Sequence, residues 1–202
     1  MTPMAHETLE PMPMPMRWLA PPDRWHAEDS TLSLVSGART DWFIDPSGAR
    51  EPTLNGAALV GAATGDYLFS ARLHVDFAAT FDAGALMLHA GERTWAKLCF
   101  EYSPASEPMV VSVVTRGTSD DANGFVVEGG DVWLRIARMG QAFAFHASTD
   151  GQEWRLIRHF TLGDVEPAVG FEAQSPTGDG CEVSFDEIRF EPRRLRDLRD
   201  GS

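Results

Sequence analysis

Cysteine is scarce: the 202-residue chain carries two, Cys99 and Cys181, far apart in sequence. A small secreted domain built on disulfides would carry more, in an even framework, so both are expected as reduced thiols. Positive charge is scarce too. Lys and Arg number 17 against 30 Asp and Glu, a formal net charge of -13. Such a surface repels phosphates, and nucleic acid is not an expected partner. No apolar run approaches the ~20 residues of a membrane span, so no membrane partner is expected either. Met1 to Met16 has no apolar core of the signal-peptide kind, which makes the cytoplasm the expected compartment. There is no phosphate loop, dinucleotide fingerprint or serine nucleophile elbow. His6, His26, His74, His89, His146 and His159 form no pair at ligand spacing with a Cys or carboxylate partner. No metal and no cofactor is therefore expected.

What is present is apolar material, 43% of the chain, enough for one well-buried domain. Residues 1–16 alternate Met and Pro from Pro11 to Met16 and are expected to form a flexible or polyproline-like leader. Residues 17–190 hold the compact domain. Residues 191–202 form an Arg-rich tail with Arg193, Arg194, Arg196 and Arg199 against Glu191, Asp197 and Asp200, so the acidity belongs to residues 1–190. Short β-type runs such as Tyr67–Asp76, Trp95–Tyr102, Met109–Arg116, Val132–Arg138, Ala142–Ser148 and Pro167–Gln174 are broken by Gly, Asp, Asn and Pro. Helical periodicity does not survive that density of turn residues. A dozen or so strands in one domain require two packed sheets or a closed barrel, and an all-β antiparallel sandwich of jelly-roll type is expected.

Strand parity separates a core face from an outer face. In Trp95–Tyr102, Ala96, Leu98, Phe100 and Tyr102 share one side, leaving Trp95, Lys97, Cys99 and Glu101 on the other. Val132, Leu134 and Ile136 leave Trp133 and Arg135. Phe143 and Phe145 leave Ala144 and His146. Val169, Phe171 and Ala173 leave Glu172 and Gln174. If these strands share a sheet, Trp95, Lys97, Glu101, Trp133, Arg135, His146, Glu172 and Gln174 form one ligand-binding face. Aromatic rings beside charged and amide groups suit sugars, whose C–H faces stack while their hydroxyls take fixed donors and acceptors.

The motifs Thr40-Asp41-Trp42-Phe43, Phe81-Asp82-Ala83-Gly84-Ala85-Leu86-Met87, Trp95-Ala96-Lys97-Leu98-Cys99-Phe100-Glu101-Tyr102, Val113-Val114-Thr115-Arg116-Gly117, Trp133-Leu134-Arg135-Ile136, Ser148-Thr149-Asp150-Gly151 and Gln174-Ser175-Pro176 follow in order within Trp18 to Phe190. In this the chain resembles the uncharacterised domain family that includes the fungal regulation-of-enolase protein. The resemblance implies a concanavalin A-like lectin/glucanase jelly roll and brings no catalytic residues with it.

Retaining glycoside hydrolases need two carboxyls about 5–5.5 Å apart. Along Lys97, Cys99 and Glu101 only one is present, with Glu172 as a second from another strand and His146 as a further acid/base candidate. No catalytic residue is assigned. Ser119-Asp120-Asp121-Ala122-Asn123-Gly124 lacks the full ligand pattern of a calcium loop and reads as a polar turn. Asp82 reads as a loop anchor, and Ser148 to Trp154 as a hairpin turn. Three function classes stay open: a carbohydrate or small polar ligand-binding domain, an intracellular regulatory module with a protein partner, and, behind these, a glycoside-acting enzyme.

Overall fold

The computed structural model describes residues 7–202 and contains sixteen strands, with no helix among the described residues. In chain order these are β1 (Met16–Ala20), β2 (Arg24–Glu28), β3 (Thr31–Val35), β4 (Trp42–Phe43), β5 (Thr53–Leu54), β6 (Ala57–Ala62), β7 (Tyr67–Val75), β8 (Ala83–Gly91), β9 (Thr94–Tyr102) and β10 (Pro108–Arg116). The remainder are β11 (Thr118–Val126), β12 (Asp131–Met139), β13 (Ala142–Ser148), β14 (Arg155–Thr161), β15 (Ala168–Gln174) and β16 (Glu182–Glu191). Two seven-stranded sheets result. The first, sheet A, runs β1-β6-β15-β8-β9-β10-β11; the second, sheet B, runs β14-β13-β12-β7-β16-β3-β2. All pairings are antiparallel, and β4 and β5 form a separate two-stranded ribbon. The all-β sandwich expected from the turn spacing is the observed architecture.

Alternation builds the core as parity requires. Leu86, Leu98, Phe100, Val169 and Phe171 of sheet A meet Phe69, Leu73, Leu134, Ile136, Phe145 and Phe185 of sheet B. Phe171 stands edge-on to both Phe69 and Phe185, with ring centroids 5.1 and 5.0 Å away. Such pairs add about 0.5–1.5 kcal/mol beyond the area they bury.

Two expectations need correction. The leader is packed over its described part: the backbones of Glu7 and Met16 pair, and Leu9, Met12 and Met16 are buried against the core. Its methionines supply apolar surface that the sandwich covers. Ser119 to Gly124 is not a turn but part of β11, with Ser119 to Asn123 paired in register to β10 and the register shifting just beyond. A long neighbouring strand that needs a partner outweighs the turn propensity of Asp, Asn and Gly. The tail also packs, with Leu195 buried beside Leu68, Ala137 and Ala144 on the outer face of sheet B.

Gly170 of β15 leaves no room for a side chain against β6. A Cβ placed there would lie 1.9 Å from the Leu59 carbonyl oxygen and 2.8 Å from the Val60 Cα. The obstacle is backbone and cannot rotate away. Gly170→Ala is expected to destabilise the fold by about 3 kcal/mol, read as a lower urea midpoint. An unchanged midpoint would show that β6 and β15 yield easily.

Candidate functional site

A loop running from Arg39 through β4 and β5 to Gly56 folds over the outer face of sheet A as a flap. Asp41 closes its base: the amides of Asn55 and Gly56 donate to the Asp41 carbonyl at 2.9 and 3.0 Å, and the Asp41 amide donates to Asn55 Oδ1 at 3.0 Å. The Trp42 indole donates to the Gly56 carbonyl at 2.8 Å and stands edge-on to Trp95, 6.0 Å away. On the β11 side, the Ile44 amide donates to Ser119 Oγ and the Ser119 amide to the Ile44 carbonyl, both at 2.9 Å. On the β15 side, Thr40 and Ser175 form a bridge. These anchors sit along the edges of the flap; at its centre the hold is ionic, from Asp41 to a buried lysine.

Lys97 rises from β9 beneath the flap with 2% of its surface exposed. Its ammonium donates to Asp41 Oδ1 at 3.1 Å and, closely, to Gln174 Oε1 on β15. The Gln174 amide nitrogen in turn donates to the Phe81 carbonyl at 3.2 Å. Burial works against the ammonium, but Asp41, Glu172 and Glu101 outweigh it and hold Lys97 above the ordinary lysine range. Glu101, two residues along the same face, is raised by burial to about 8 against the pull of Lys97. Glu172 is fully buried and likewise raised to about 8 by burial. Neither Glu172 oxygen has a hydrogen-bond partner among the described residues.

Between flap and sheet lies a cavity of about 380 Å³, lined by Arg39, Asp41, Phe43, Arg50, Thr53, Phe81, Lys97, Glu101, Val113, Asp121, Gln174, Pro176 and Thr177. Two lining residues other than glycine hold left-handed backbone, Arg39 at φ 58° and Phe81 at φ 72°. Such positions cost of order 1–3 kcal/mol and collect at functional sites. Phe81 is pinned by its amide donating to the Tyr102 carbonyl at 2.7 Å, next to Asp82, whose carboxylate accepts from the amides of Ala78 and Ala79 and from Ser175 Oγ. Asp82 is thus the loop anchor that its sequence context suggested.

Of the residues expected at the site, Lys97, Glu101 and Gln174 line this cavity. Trp95 shares their face but is fully buried under Trp42, and Glu172 is buried beneath Gly56 and Trp42. Neither presents a surface to a ligand. Trp133, Arg135 and His146 belong to β12 and β13 of sheet B, so they face the opposite side of the molecule. A single constellation of all eight does not form, because the outer faces of a sandwich point away from each other. Trp133 packs under Arg72, 5.5 Å from its centroid. Arg135 lies 4.0 Å over the Trp154 ring and donates to the Gly201 carbonyl at 2.6 Å, while His146 Nε2 meets the Leu198 carbonyl at 2.8 Å. These two bind the chain's own tail. Burial lowers His146 to about 4, so it is neutral there at physiological pH and donates through Nε2 to the carbonyl.

Sequence reasoning missed Arg39, Asp41, Phe43, Arg50, Phe81, Asp121 and Thr177. All but Arg39, Arg50 and Thr177 fall in motifs or loops singled out in the sequence, but nothing in spacing brings those segments together. Cys99 and Cys181 are both free and buried, with thiols raised by burial, as expected of quiet core cysteines. No group of three or more His, Cys, Asp or Glu able to hold a metal occurs among the described residues.

Comparison with known proteins places the chain. The family described as "Protein of unknown function (DUF1349)" matches residues 18–193, and the chain belongs to it. A search of curated proteins finds no match. Among solved structures, a functionally unknown protein from Saccharomyces cerevisiae superposes with a TM-score of 0.80 at 22% identity, over 87% of this chain and 95% of that one. The GH43 BlXynB protein from Bacillus licheniformis gives 0.70 at 18% identity over 88% of this chain, which spans only 37% of that longer one. The carbohydrate binding module CBM66 from Bacillus subtilis gives 0.52 at 12% identity, over 86% and 94% of the two chains. At these identities the likeness is one of fold.

Two outcomes follow from the two faces. The unfolded chain releases the Glu172 proton near 4.5 and the folded chain near 8, so the folded state binds the extra proton between those values. The contribution of Glu172 to stability is therefore fullest below about 4.5 and is lost as pH rises to about 8. In Glu172→Gln this decline should be shallower by up to about 1.4 kcal/mol per pH unit, measured by urea unfolding across that range. Equal slopes would place the Glu172 charge elsewhere.

On the far face, Gly201 has φ 73°, and a Cβ there would meet Arg135 Nη2 at 2.1 Å and the Trp154 Cβ at 2.8 Å. Gly201→Ala is expected to unseat the tail, with timed trypsin digestion cutting at Arg196 and Arg199 several-fold faster while the sandwich stays resistant. Unchanged cleavage would mean the tail is held without this glycine.

Proposed function

We propose that this member of a family of unknown function binds carbohydrate, or a small ligand of similar hydroxyl-rich chemistry, in the cavity between the flap and sheet A. The observation that carries the reading is the Lys97 ammonium, buried yet lining a cavity. Lysine has three N–H donors, and Asp41 and Gln174 take two. The third is left for a ligand oxygen. Glu101, protonated below about 8, both donates and accepts there. Phe81, 37% exposed, and the half-buried Phe43 supply apolar faces for sugar C–H groups. The volume lies within the range of small-molecule sites. Support from fold alone comes from the carbohydrate binding module and the GH43 protein that share it.

Aspartate, protonated glutamate, lysine and glutamine fixed in one wall give a directional array of donors and acceptors. Directionality is what distinguishes one sugar epimer from another, since apolar contact alone discriminates weakly.

Calorimetric titration with a panel of soluble mono- and oligosaccharides tests the reading. Phe81→Gly makes the test sharper. It relieves the left-handed strain and gives up a partly exposed ring, so stability should hold or rise by about 1 kcal/mol, while affinity falls about tenfold. Saccharide binding that is absent in the wild type, or unaffected in Phe81→Gly, would overturn the assignment to this cavity.

A further inference from the structure

The cavity wall is more positive than the chain that builds it. The protein as a whole carries -13, yet three of the six charged residues lining the cavity are Arg39, Arg50 and Lys97. Lys97 is matched by Asp41. The two arginines are not matched in the same way. Arg39 donates to the Thr177 carbonyl, and its nearest acid is Asp179 at 3.9 Å, whose side chain is 97% exposed and screened by solvent. Arg50, on the exposed stretch between β4 and β5, makes no ion pair among the described residues. On the acidic side, Glu101 stays protonated below about 8. That leaves Asp121, on β11, as the remaining acid of the lining, and the charges acting on it are Lys97, Arg158 and Asp41.

We infer that the cavity selects saccharides bearing a carboxylate, the uronic-acid class, over neutral saccharides of the same shape. This rests on the carbohydrate reading above and narrows it. A guanidinium presents parallel N–H donors that match a carboxylate in a bidentate fork, and such charge-assisted bonds are about twice as strong as neutral ones. Arg39 already holds left-handed backbone fixed by its amide bond to the Gly178 carbonyl at 3.3 Å, so its stem starts from a set position. The ligand hydroxyls would meet Lys97, Glu101 and Gln174, and the ligand carboxylate the arginines of the flap.

The test compares three probes by calorimetry: a uronic-acid disaccharide, its methyl ester, and sodium acetate as a competitor. The expected result is binding of the acid at least tenfold tighter than the ester. The double variant Arg39→Gln/Arg50→Gln should bring the acid-to-ester affinity ratio to about one by weakening the acid at least tenfold, with circular dichroism checking that the fold is kept. Equal affinity for acid and ester would overturn the selectivity and leave carbohydrate binding standing. Binding of neither would overturn both. Competition by acetate as effective as by the uronide would reduce the site to a general anion trap, and that too would overturn the inference.

Discussion

A lysine ammonium kept from water on the outer face of a β-sheet is tolerable only if its charge is answered on the spot. Breaking one partner from a buried ion pair typically costs about 3–5 kcal/mol, because the other charge is left stranded. Lys97 is answered by Asp41 from the flap and by Gln174 from a strand two places across the sheet. That requirement ties three segments distant in sequence to one atom. The flap sits where it does because Asp41 must reach Lys97. The cavity exists because the flap is held by its edges and by this centre, and is not collapsed onto the sheet. Gln174 passes the constraint on to the Phe81 carbonyl and so to the rim.

The same ammonium organises the acids around it. Asp41, Glu101, Asp121 and Glu172 all feel its field. A single fixed cation cannot hold four carboxylates ionised where water is scarce, so the more deeply placed ones keep their protons. The result is a wall of mixed donors and acceptors with little net negative charge, within a protein whose overall charge is strongly negative.

Much of this was legible in the chain. Period-two alternation located β9, β12, β13 and β15 to within a residue or two and assigned their core faces correctly, because inward positions such as Leu98, Leu134, Phe145 and Phe171 admit only apolar side chains. Parity says which face a residue occupies but not which sheet its strand joins. Arg135 and Lys97 look equivalent in sequence and stand on opposite sides of the molecule. Sheet membership depends on long-range pairing, as when β15 inserts between β6 and β8. Local pattern cannot encode that. The flap was illegible for a related reason: Arg39, Asp41 and Arg50 matter through a fold-back onto strands more than forty residues later. The packed leader was misread because proline-rich stretches are common in disordered segments, while its burial depends on surface that the sandwich leaves open.

Phe81 and Arg39 carry a consequence for how a ligand would be received. Each sits in backbone that an L-residue resists, and each is kept there by a hydrogen bond to the chain's own backbone, Arg39 to Gly178 and Phe81 to Tyr102. The rim is thus preorganised. The entropy of arranging it is lost once, when the chain folds, and not again at each encounter. Association should then proceed without closure of the flap, at rates set by diffusion and by the local field rather than by a conformational step.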